Sequence, residues 1–301
     1  MKRLPGSGQV DDRGETSHPT ESPPTAEKLK SIIGIKSMGF ISDQYRDSSR
    51  LNARFRLHRD FSTSQRPFPR WVFDQFDFNA ATSILDIGCG PGYLWAENRE
   101  RVHHEWEIVL VDRSFGMLAE AHKNLQGWGL KVRWLNSDAR ALPLDERVFD
   151  VVVANHMLYH VEDRPGVLGE IGRVMKPEGR LYAATNGREH LREIRELIER
   201  FQLDSSIWAH HNAFSLENGE AQLRGSFERV SCVRFDDSLE VTDIEPIMDY
   251  IQSGFSSEEL AANAKGLQDI QVFIGRQLNE EGVIRIRKET GMFIAEKPHP
   301  T

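Results

Sequence analysis

A short apolar run that opens into three alternating glycines constrains this chain more than any other feature. The run extends from Ser83 to Ile87 and is typical of a buried strand. Gly88, Gly90 and Gly92 follow it, and a helical pattern begins at Tyr93. Glycines let a ligand approach backbone N–H groups and a helix N-terminus because no Cβ lies in the way. The stretch therefore predicts a strand, a tight loop and a helix that together bind a nucleoside cofactor.

The spacing of these glycines indicates which kind of nucleoside cofactor fits. Dinucleotide-binding loops follow the pattern G-x-G-x-x-G, but counting from Gly88 places Tyr93 at the third glycine position. Asp86 lies two residues before Gly88 and puts a negative charge near the loop, which disfavours a pyrophosphate. A nucleoside that carries a positive charge fits this loop better than a nicotinamide dinucleotide.

A second apolar strand ends in another carboxylate. Residues Ile108 to Val111 are apolar, and Asp112 follows them, 20 residues after Gly92. At that distance an acidic side chain can accept hydrogen bonds from both ribose hydroxyls of a nucleoside. A turn or a helix cap is an equally good interpretation for a single Asp at a strand end.

Three more strands alternate with helices farther along the chain. They are predicted over Val132 to Asn136, Phe149 to Ala154 and Arg180 to Ala184. A helix over Leu168 to Met175 and a turn over Lys176 to Gly179 precede the last of them. One glycine loop is weak evidence, whereas five ordered strand-and-helix units with carboxylates at two strand ends indicate one α/β sheet.

The segment from Trp71 to Asn186 resembles the class I S-adenosylmethionine-dependent methyltransferases. Within that class it is most similar to the small-molecule branch called the type 11, or ubiquinone/menaquinone methyltransferase-like, group. The resemblance implies an α/β, Rossmann-like sheet of seven strands, mostly parallel with the last strand antiparallel, and helices on both faces. It also implies the cofactor S-adenosyl-L-methionine and methyl transfer to O, N or C of a small organic acceptor. Glu178 departs from the family's Lys-Pro-Gly-Gly turn, and we expect it to change turn geometry alone.

The motifs and the resemblance together give a predicted cofactor site. Its candidates are Tyr45, Arg70, Asp86, Gly88, Gly90, Gly92, Asp112, Arg113, Met117, Asp138, Ala139 and Asn155. The resemblance implies that Met117 packs on the adenine and that Asp138 accepts from its amino group. A core methionine is the alternative for Met117. Tyr45 would close the site, and Arg70 would bind the methionine carboxylate.

The loop after the fourth predicted strand supplies the candidate catalytic residues. Methyl transfer from a sulfonium is an in-line displacement that neutralises charge, so the protein mainly excludes water and aligns the nucleophile. A hydroxyl or ammonium nucleophile also loses a proton, for which His156, His160 or Tyr159 would serve. The alternative is structural, with these histidines fixing the loop through hydrogen bonds to backbone. His210 and His211 are further candidates that the sequence does not place.

The chain divides into five predicted regions. They are a disordered tail (1–27), an N-terminal helical lid (28–70), the methyltransferase core (71–242), a helical cap inserted between the sixth and seventh strands (243–282), and the final strand with the C-terminus (283–301). The sixth strand is predicted over Phe227 to Val241 and the seventh over Val283 to Lys297. The lid is rich in arginine, which a solvated helix face would also explain. A dimerisation element is the alternative for the insertion.

Composition limits the possible partners. The formal net charge of −8 argues against a nucleic acid, whose binding depends on clustered Lys and Arg. The two cysteines, Cys89 and Cys232, suggest no disulfide framework, and no metal-ligand spacing is present. Without a signal peptide or a long apolar run, we expect a cytoplasmic, membrane-free monomer or homodimer. An RNA or protein methyltransferase and a catalytically silent cofactor-binding protein are the alternative functions.

Overall fold

The computed structural model describes residues 41–77, 83–203 and 212–299, with the backbone alone for 41–49. The strands are β1 (Ser83–Ile87), β2 (Glu107–Asp112), β3 (Lys131–Asn136), β4 (Phe149–Val153), β5 (Met175–Asn186), β6 (Phe227–Phe235), β7 (Ser238–Val241), β8 (Ile284–Arg287) and β9 (Thr290–Pro298). The helices are α1 (Ile41–Phe61), α2 (Phe68–Asp74), α3 (Tyr93–Ala96), α4 (Phe115–Asn124), α5 (Arg164–Val174), α6 (Arg192–Arg200), α7 (Gly219–Leu223), α8 (Ile244–Gln252), α9 (Ser257–Ala262) and α10 (Ala264–Glu281).

Seven of these strands form one sheet in the order β3-β2-β1-β4-β5-β9-β6. The first five strands are parallel, and β9 runs antiparallel to both β5 and β6. The predicted seven-stranded, mostly parallel sheet with an antiparallel last strand is confirmed. Because β1, β2 and β4 are adjacent and parallel, the residues after their carboxyl ends meet at one edge of the sheet.

The central strands are apolar on both faces because helices cover both sides of the sheet. Consecutive residues of β1 show this arrangement: Ile84 packs into one core layer and Leu85 into the other, and both are fully buried. Val151 and Val152 of β4 divide between the same two layers. Burial on both faces explains why these strands read as continuous apolar runs without alternation.

The predicted sixth and seventh strands are each wrong in extent. Both break in two, so that β7 leaves the main sheet and pairs antiparallel with β8, with Leu239 opposite Ile286. The breaks fall at two charged residues, Asp237 and Lys288, which form an ion pair with each other. Since each charge finds its partner at the other break, the chain turns there and does not extend the main sheet. The predicted turn at Lys176–Gly179 lies within β5, beside a register shift against β4.

A second apolar core joins the N-terminal helix to the insertion. Leu57 of α1 is fully buried and clusters with Leu239 of β7, Ile251 of α8 and Ile270 of α10. In the described part of the chain, no helix is long and apolar enough to cross a membrane. The predicted tail, 1–27, and the first part of the predicted lid, 28–40, lie outside the described residues.

Candidate active site

The three loop glycines all adopt the left-handed backbone region, with φ of 68°, 53° and 73° at Gly88, Gly90 and Gly92. At two of them a side chain would also collide with a neighbouring residue. A Cβ on Gly88 would lie 2.8 Å from Cβ of Met157, and one on Gly92 would lie 3.2 Å from Cβ of Ala121. These two positions need glycine for the fold itself, whatever the loop binds.

Gly90 differs from the other two because a Cβ there would make only an ordinary van der Waals contact. The nearest atom is Cδ2 of Leu51, 3.7 Å from the ideal Cβ position. Leu51 belongs to α1, which lies across the loop. Farther along that helix, Phe55 stacks on Tyr93 with ring centroids 4.3 Å apart, and the Tyr93 hydroxyl bonds to the Asn52 side chain. The N-terminal helix thus covers the glycine loop, and Gly90 is the loop glycine where a Cβ would not clash.

Asp86 is buried at the end of β1, with 3% of its surface exposed. The indole Nε1 of Trp95 donates a hydrogen bond to its Oδ2 at 2.8 Å. Burial raises the pKa of Asp86 to about 7, the Asp112 charge adds to the rise, and the Trp95 hydrogen bond opposes it. A positively charged ligand at this edge would favour the ionised carboxylate.

Asp112 ties the glycine loop to the end of β2. Its Oδ2 accepts from the Gly90 N–H at 3.0 Å, and its Oδ1 accepts from the Ser114 N–H at 2.8 Å. Burial raises its pKa, although these two backbone bonds and the nearby Arg113 charge act the other way. A carboxylate offers about four acceptor positions, so Asp112 retains capacity for ligand hydroxyls.

The candidates after β3 have partners within the protein. Arg140 holds both oxygens of Asp138, with Nε at 3.0 Å and Nη2 at 2.7 Å, and these bonds lower the pKa of Asp138 to about 2. Ala139 packs against the main core. Met117 is half-buried, and its backbone N–H donates to the Ser114 hydroxyl at 3.4 Å. An adenine amino group at Asp138 would therefore have to share the carboxylate with Arg140.

Arg70 and Tyr45 are the two predicted contacts from the N-terminal region. The Arg70 guanidinium lies 2.8 Å from the Glu100 carboxylate, which places it in an ion pair on the α2 side of the loop. Tyr45 falls within α1, but its side chain lies outside the described residues. His210 and His211 lie outside them as well. The roles predicted for these four residues stay predictions.

The loop after β4 brings two buried polar atoms to the same edge. Oδ1 of Asn155 and Nδ1 of His156 have no hydrogen-bond partner among the described residues. His156 has a φ of 52°, and its backbone N–H donates to the Ala184 carbonyl at 2.9 Å. Burial lowers the pKa of His156 to about 4, helped by the charges of Lys288 and His160. Its imidazole is therefore neutral at pH 7, and its Nδ1 lacks a hydrogen-bond partner among the described residues.

The other two catalytic candidates lie on the next turn. Tyr159 and His160 belong to a short 3₁₀ segment with ring centroids 4.5 Å apart, and the His160 side chain is exposed. Burial raises the pKa of Tyr159, with a contribution from Tyr250 that Arg54 opposes. The structure thus places His156 and Tyr159 inward and His160 toward solvent.

Sequence reasoning missed a buried ion pair next to this loop. The side chains of Lys288 and Asp237 are 6% and 0% exposed, and their charged groups are in contact. Oδ1 of Asp237 also accepts from the Ser62 hydroxyl at 2.8 Å and from the Ser64 N–H at 3.1 Å, just after α1. The sequence offers no signal for it, because Asp237 and Lys288 are each one of several charged residues in their strand-like stretches.

His58 of α1 is a second polar group that sequence reasoning did not single out. Its Nδ1 is buried without a partner among the described residues. Its ring lies 5.6 Å from that of His190 and 6.0 Å, edge-on, from that of Tyr250. Burial lowers the pKa of His58 well below its usual value, and the charges of Lys288 and His156 add to the effect. The carboxyl edge thus has two buried, neutral imidazoles beside one ammonium.

Comparison with known proteins finds similarity to methyltransferases in the part of the chain that carries this site. Residues 85–183 match the family described as "methyltransferase domain". The ubiquinone/menaquinone biosynthesis C-methyltransferase of Idiomarina loihiensis is 35% identical over 118 residues, or 38% of this chain and 47% of that protein. The malonyl-[acyl-carrier protein] O-methyltransferase of Legionella pneumophila is 34% identical over 135 residues, 45% of each chain. The chain spans about half the length of these curated relatives.

Solved structures show the same fold at lower identity. A protein of Bacillus halodurans, described as a methyltransferase candidate, aligns with a TM-score of 0.54 at 18% identity and covers 77% of this chain and 99% of its own. The [4+2]-cyclase SpnF aligns with a TM-score of 0.51 at 15% identity, over 84% of this chain and 97% of its own. The two names describe different reactions. The similarity therefore shows the fold, and the chemistry has to be inferred from the site itself.

Proposed function

We propose that this chain carries a class I methyltransferase domain of the type 11 group and that it transfers a methyl group from S-adenosyl-L-methionine to a small organic acceptor. The observation that carries the proposal is that Gly90, unlike Gly88 and Gly92, has no packing reason to lack a Cβ, while its N–H is bonded to the Asp112 carboxylate. Loop glycines elsewhere in this motif serve packing, whereas this one would let a ligand approach the backbone.

The residues at this edge fit the cofactor. Asp112 would accept from the ribose hydroxyls, since it lies at the end of β2 and holds the loop through Gly90. Asp86 would supply negative charge near the cationic methionine end. The buried Asn155 Oδ1, unpaired among the described residues, is an acceptor that a ligand N–H or O–H would satisfy. Met117, Ala139 and Asp138 would surround the adenine.

The cofactor supplies an electrophilic methyl on a sulfonium, and the chain's own residues supply the surroundings for the transfer. Leu51 and Phe55 on α1 cover the glycine loop, which excludes water from it. His156 lies beside the loop and is neutral at pH 7, so its unpartnered Nδ1 can hydrogen-bond to an acceptor oxygen, as donor or acceptor according to the tautomer. A pKa of about 4 makes it a weak base, so its main contribution is to orient the nucleophile.

Residues 28–70 and 243–282 would together act as the cover of this site, and 71–242 as the core that binds the cofactor. Supporting this division, Arg54 of α1 donates from Nε to the Ser253 hydroxyl at 2.9 Å, and Leu57 packs into the same core as α8 and α10. Among possible acceptors a small molecule is favoured over a nucleic acid because the net charge is −8. A monomer or homodimer suffices, since every proposed site residue comes from one chain.

The proposal is tested with S-adenosylmethionine that carries a trideuterated methyl group. The full-length protein is incubated with a panel of small phenols, amines, carboxylic acids and enols, and products are identified by mass spectrometry. We expect one acceptor class to gain the labelled methyl, and we expect the Asp112→Ala variant to lose that product. If a folded protein that binds the cofactor labels nothing in the panel but labels RNA or protein, the small-molecule proposal fails.

A further inference from the structure

A polar cluster made from distant segments lies beside the loop after β4. It combines α1, the β4 loop, the β6–β7 turn, α8 and the β8–β9 turn, and its members are His58, His156, Asp237, Tyr250 and Lys288. The residue after His156 is Met157. Its Cβ would lie 2.8 Å from a Cβ built on Gly88 of the cofactor loop. The cluster therefore begins directly next to the proposed cofactor site.

The ammonium of Lys288 has donors that the protein leaves unused. It bonds to Oδ2 of Asp237, its one hydrogen-bond acceptor among the described residues. An ammonium carries three N–H donors, and this side chain is 6% exposed, so water cannot freely satisfy the rest. Nζ also lies 5.5 Å from the centroid of the Phe235 ring. Two N–H groups are thus held at a buried, partly aromatic position.

The two imidazoles face the same requirement. Nδ1 of His58 and Nδ1 of His156 are buried and have no partner among the described residues. Such an atom lowers stability when it stays unpaired, so proteins retain one mainly where a ligand or a water completes it. Burial keeps both rings neutral, and the charge of Lys288 adds to the effect, which leaves one N–H to donate on each.

Flat side chains form the wall of the cluster. Phe68 lies between His156 and Phe235, with ring centroids 5.2 Å and 5.5 Å away. Trp71 lies 5.0 Å from the Phe235 ring. Aromatic walls favour a planar guest, because such rings pack best by offset stacking or edge contacts.

Charge decides which planar guest fits. Arg54 acts on Tyr159 and Tyr250, and Lys288 acts on both histidines, so two cations face the cluster. The anion in direct contact with the cluster is Asp237. Its carboxylate is already bonded to Lys288, Ser62 and Ser64. The surplus of N–H donors and positive charge is complementary to an anionic oxygen.

We propose that Lys288, His58 and His156 form an acceptor subsite that binds the oxyanion of a planar, unsaturated acceptor, either a phenolate or enolate or a carboxylate. The subsite deepens the proposed function, because it takes this ligand to be the methyl acceptor. Its anion-binding property is independent of methyl transfer. Tyr159 and Arg54 would line the side toward the cap.

The test measures the binding of simple probes to the full-length protein by titration calorimetry. The probes are benzoate, 4-nitrophenolate and the neutral benzamide, each titrated with and without saturating S-adenosylhomocysteine. We expect at least one anion to bind about tenfold or more tightly than benzamide, since a hydrogen bond to a charged group contributes roughly 1.5–3 kcal/mol. Benzoate against nitrophenolate then distinguishes a carboxylate from a phenolate.

The Lys288→Met/Asp237→Asn variant removes both charges and so avoids an unpaired buried carboxylate. We expect it to lose the preference for the anion. The matched control is Lys176→Met/Asp150→Asn, which removes another Lys–Asp pair, 2.9 Å apart, beside the first residues of β1 and β5. We expect that control to keep the preference.

Proton NMR of the histidine rings adds a second measurement. If the histidines were only structural, their resonances would not respond to the anionic probe. Resonances are assigned by their loss in His58→Phe and His156→Phe, and the anionic probe should shift both and raise their pKa values. Equal binding of benzamide and both anions, no detectable binding of any probe, or an anion preference that survives in the double variant would overturn the subsite. If the wild-type protein shows the anion preference but does not bind S-adenosylhomocysteine, the proposed function fails and the anion site stands.

Discussion

The cofactor loop and the acceptor cluster are neighbours at one sheet edge, yet they are built in opposite ways. The loop site uses residues 83–114 and closes through short-range bonds, such as Gly90 to Asp112 and Trp95 to Asp86. The cluster joins residues as far apart as His58 and Lys288. The first is a local device that many sequences can carry, and the second exists only once the whole chain has folded. We therefore expect the motif to determine cofactor binding and the tertiary assembly to determine acceptor choice.

The largest expected difference between the two regions comes from breaking the Lys288–Asp237 ion pair of the cluster. Lys288→Met leaves the fully buried Asp237 without its cation, so we expect a loss of roughly 3–5 kcal/mol in unfolding free energy. Urea unfolding checks this. Lys176→Met removes the partner of Asp150 in a pair that is 38% and 23% exposed, and it should lose about 1 kcal/mol or less.

The double variant Lys288→Met/Asp237→Asn controls that experiment. We expect it to recover most of the stability, because Asn can still accept from Ser62 and Ser64 while no charge remains buried. If Lys288→Met alone unfolds at the wild-type urea midpoint, the pair is not buried in solution as described.

Asp112→Ala should have the next largest effect, and it acts on the cofactor. Loss of two hydrogen bonds to a charged acceptor should weaken S-adenosylmethionine binding by roughly 100-fold. Calorimetry on the folded variant measures this. The matched control is Asp243→Ala, which likewise removes a carboxylate that accepts from the backbone N–H two residues later, that of Glu245 at 3.1 Å, but is not a proposed cofactor contact. Equal affinity in both variants would mean that the ribose binds elsewhere.

The contrast between the regions also explains what the sequence could and could not predict. The seven-stranded, mostly parallel sheet with its antiparallel last strand, which the family resemblance implies, is confirmed, and residues 85–183 match the methyltransferase domain family. The resemblance rests on continuous apolar runs and glycine spacing, which are local signals. The cofactor and catalytic roles of individual residues stay predictions.

Long-range pairings gave no such signal. Asp237 and Lys288 are charged, and charged residues are usually exposed, so nothing local marks them as buried partners. Their pairing is why the sixth and seventh strands break where apolar alternation alone predicts continuity. His58 lies among arginines that read as a solvated face. That interpretation holds for Arg56 and Arg59, which pair with Asp60.

The glycines offer a finer comparison within the loop. Gly88→Ala and Gly90→Ala share the strain of a positive φ, but only the first forces a Cβ to 2.8 Å from Met157. We expect Gly88→Ala to be less stable than Gly90→Ala by roughly 1–3 kcal/mol in thermal or urea unfolding. Gly90→Ala should instead weaken cofactor binding. A reversed order would show that Gly90 serves packing.

The smallest expected effect concerns the β4 loop. His156→Gln should lower kcat about tenfold with little change in cofactor affinity, because a ring with a pKa of about 4 positions the acceptor more than it removes a proton. His160→Gln, at an exposed side chain, should have a smaller effect. Steady-state kinetics on the identified acceptor measures both. Unchanged rates with reduced thermal stability would favour the structural role for these histidines.

The most direct test of the account is calorimetric titration of the purified full-length protein with S-adenosylmethionine, S-adenosylhomocysteine and NADH. We expect both sulfur nucleosides to bind at one site per chain without added metal, and we expect NADH not to compete, because the glycine spacing and Asp86 suit a cation-bearing nucleoside. Binding of NADH in preference to S-adenosylmethionine by the folded protein would contradict the account.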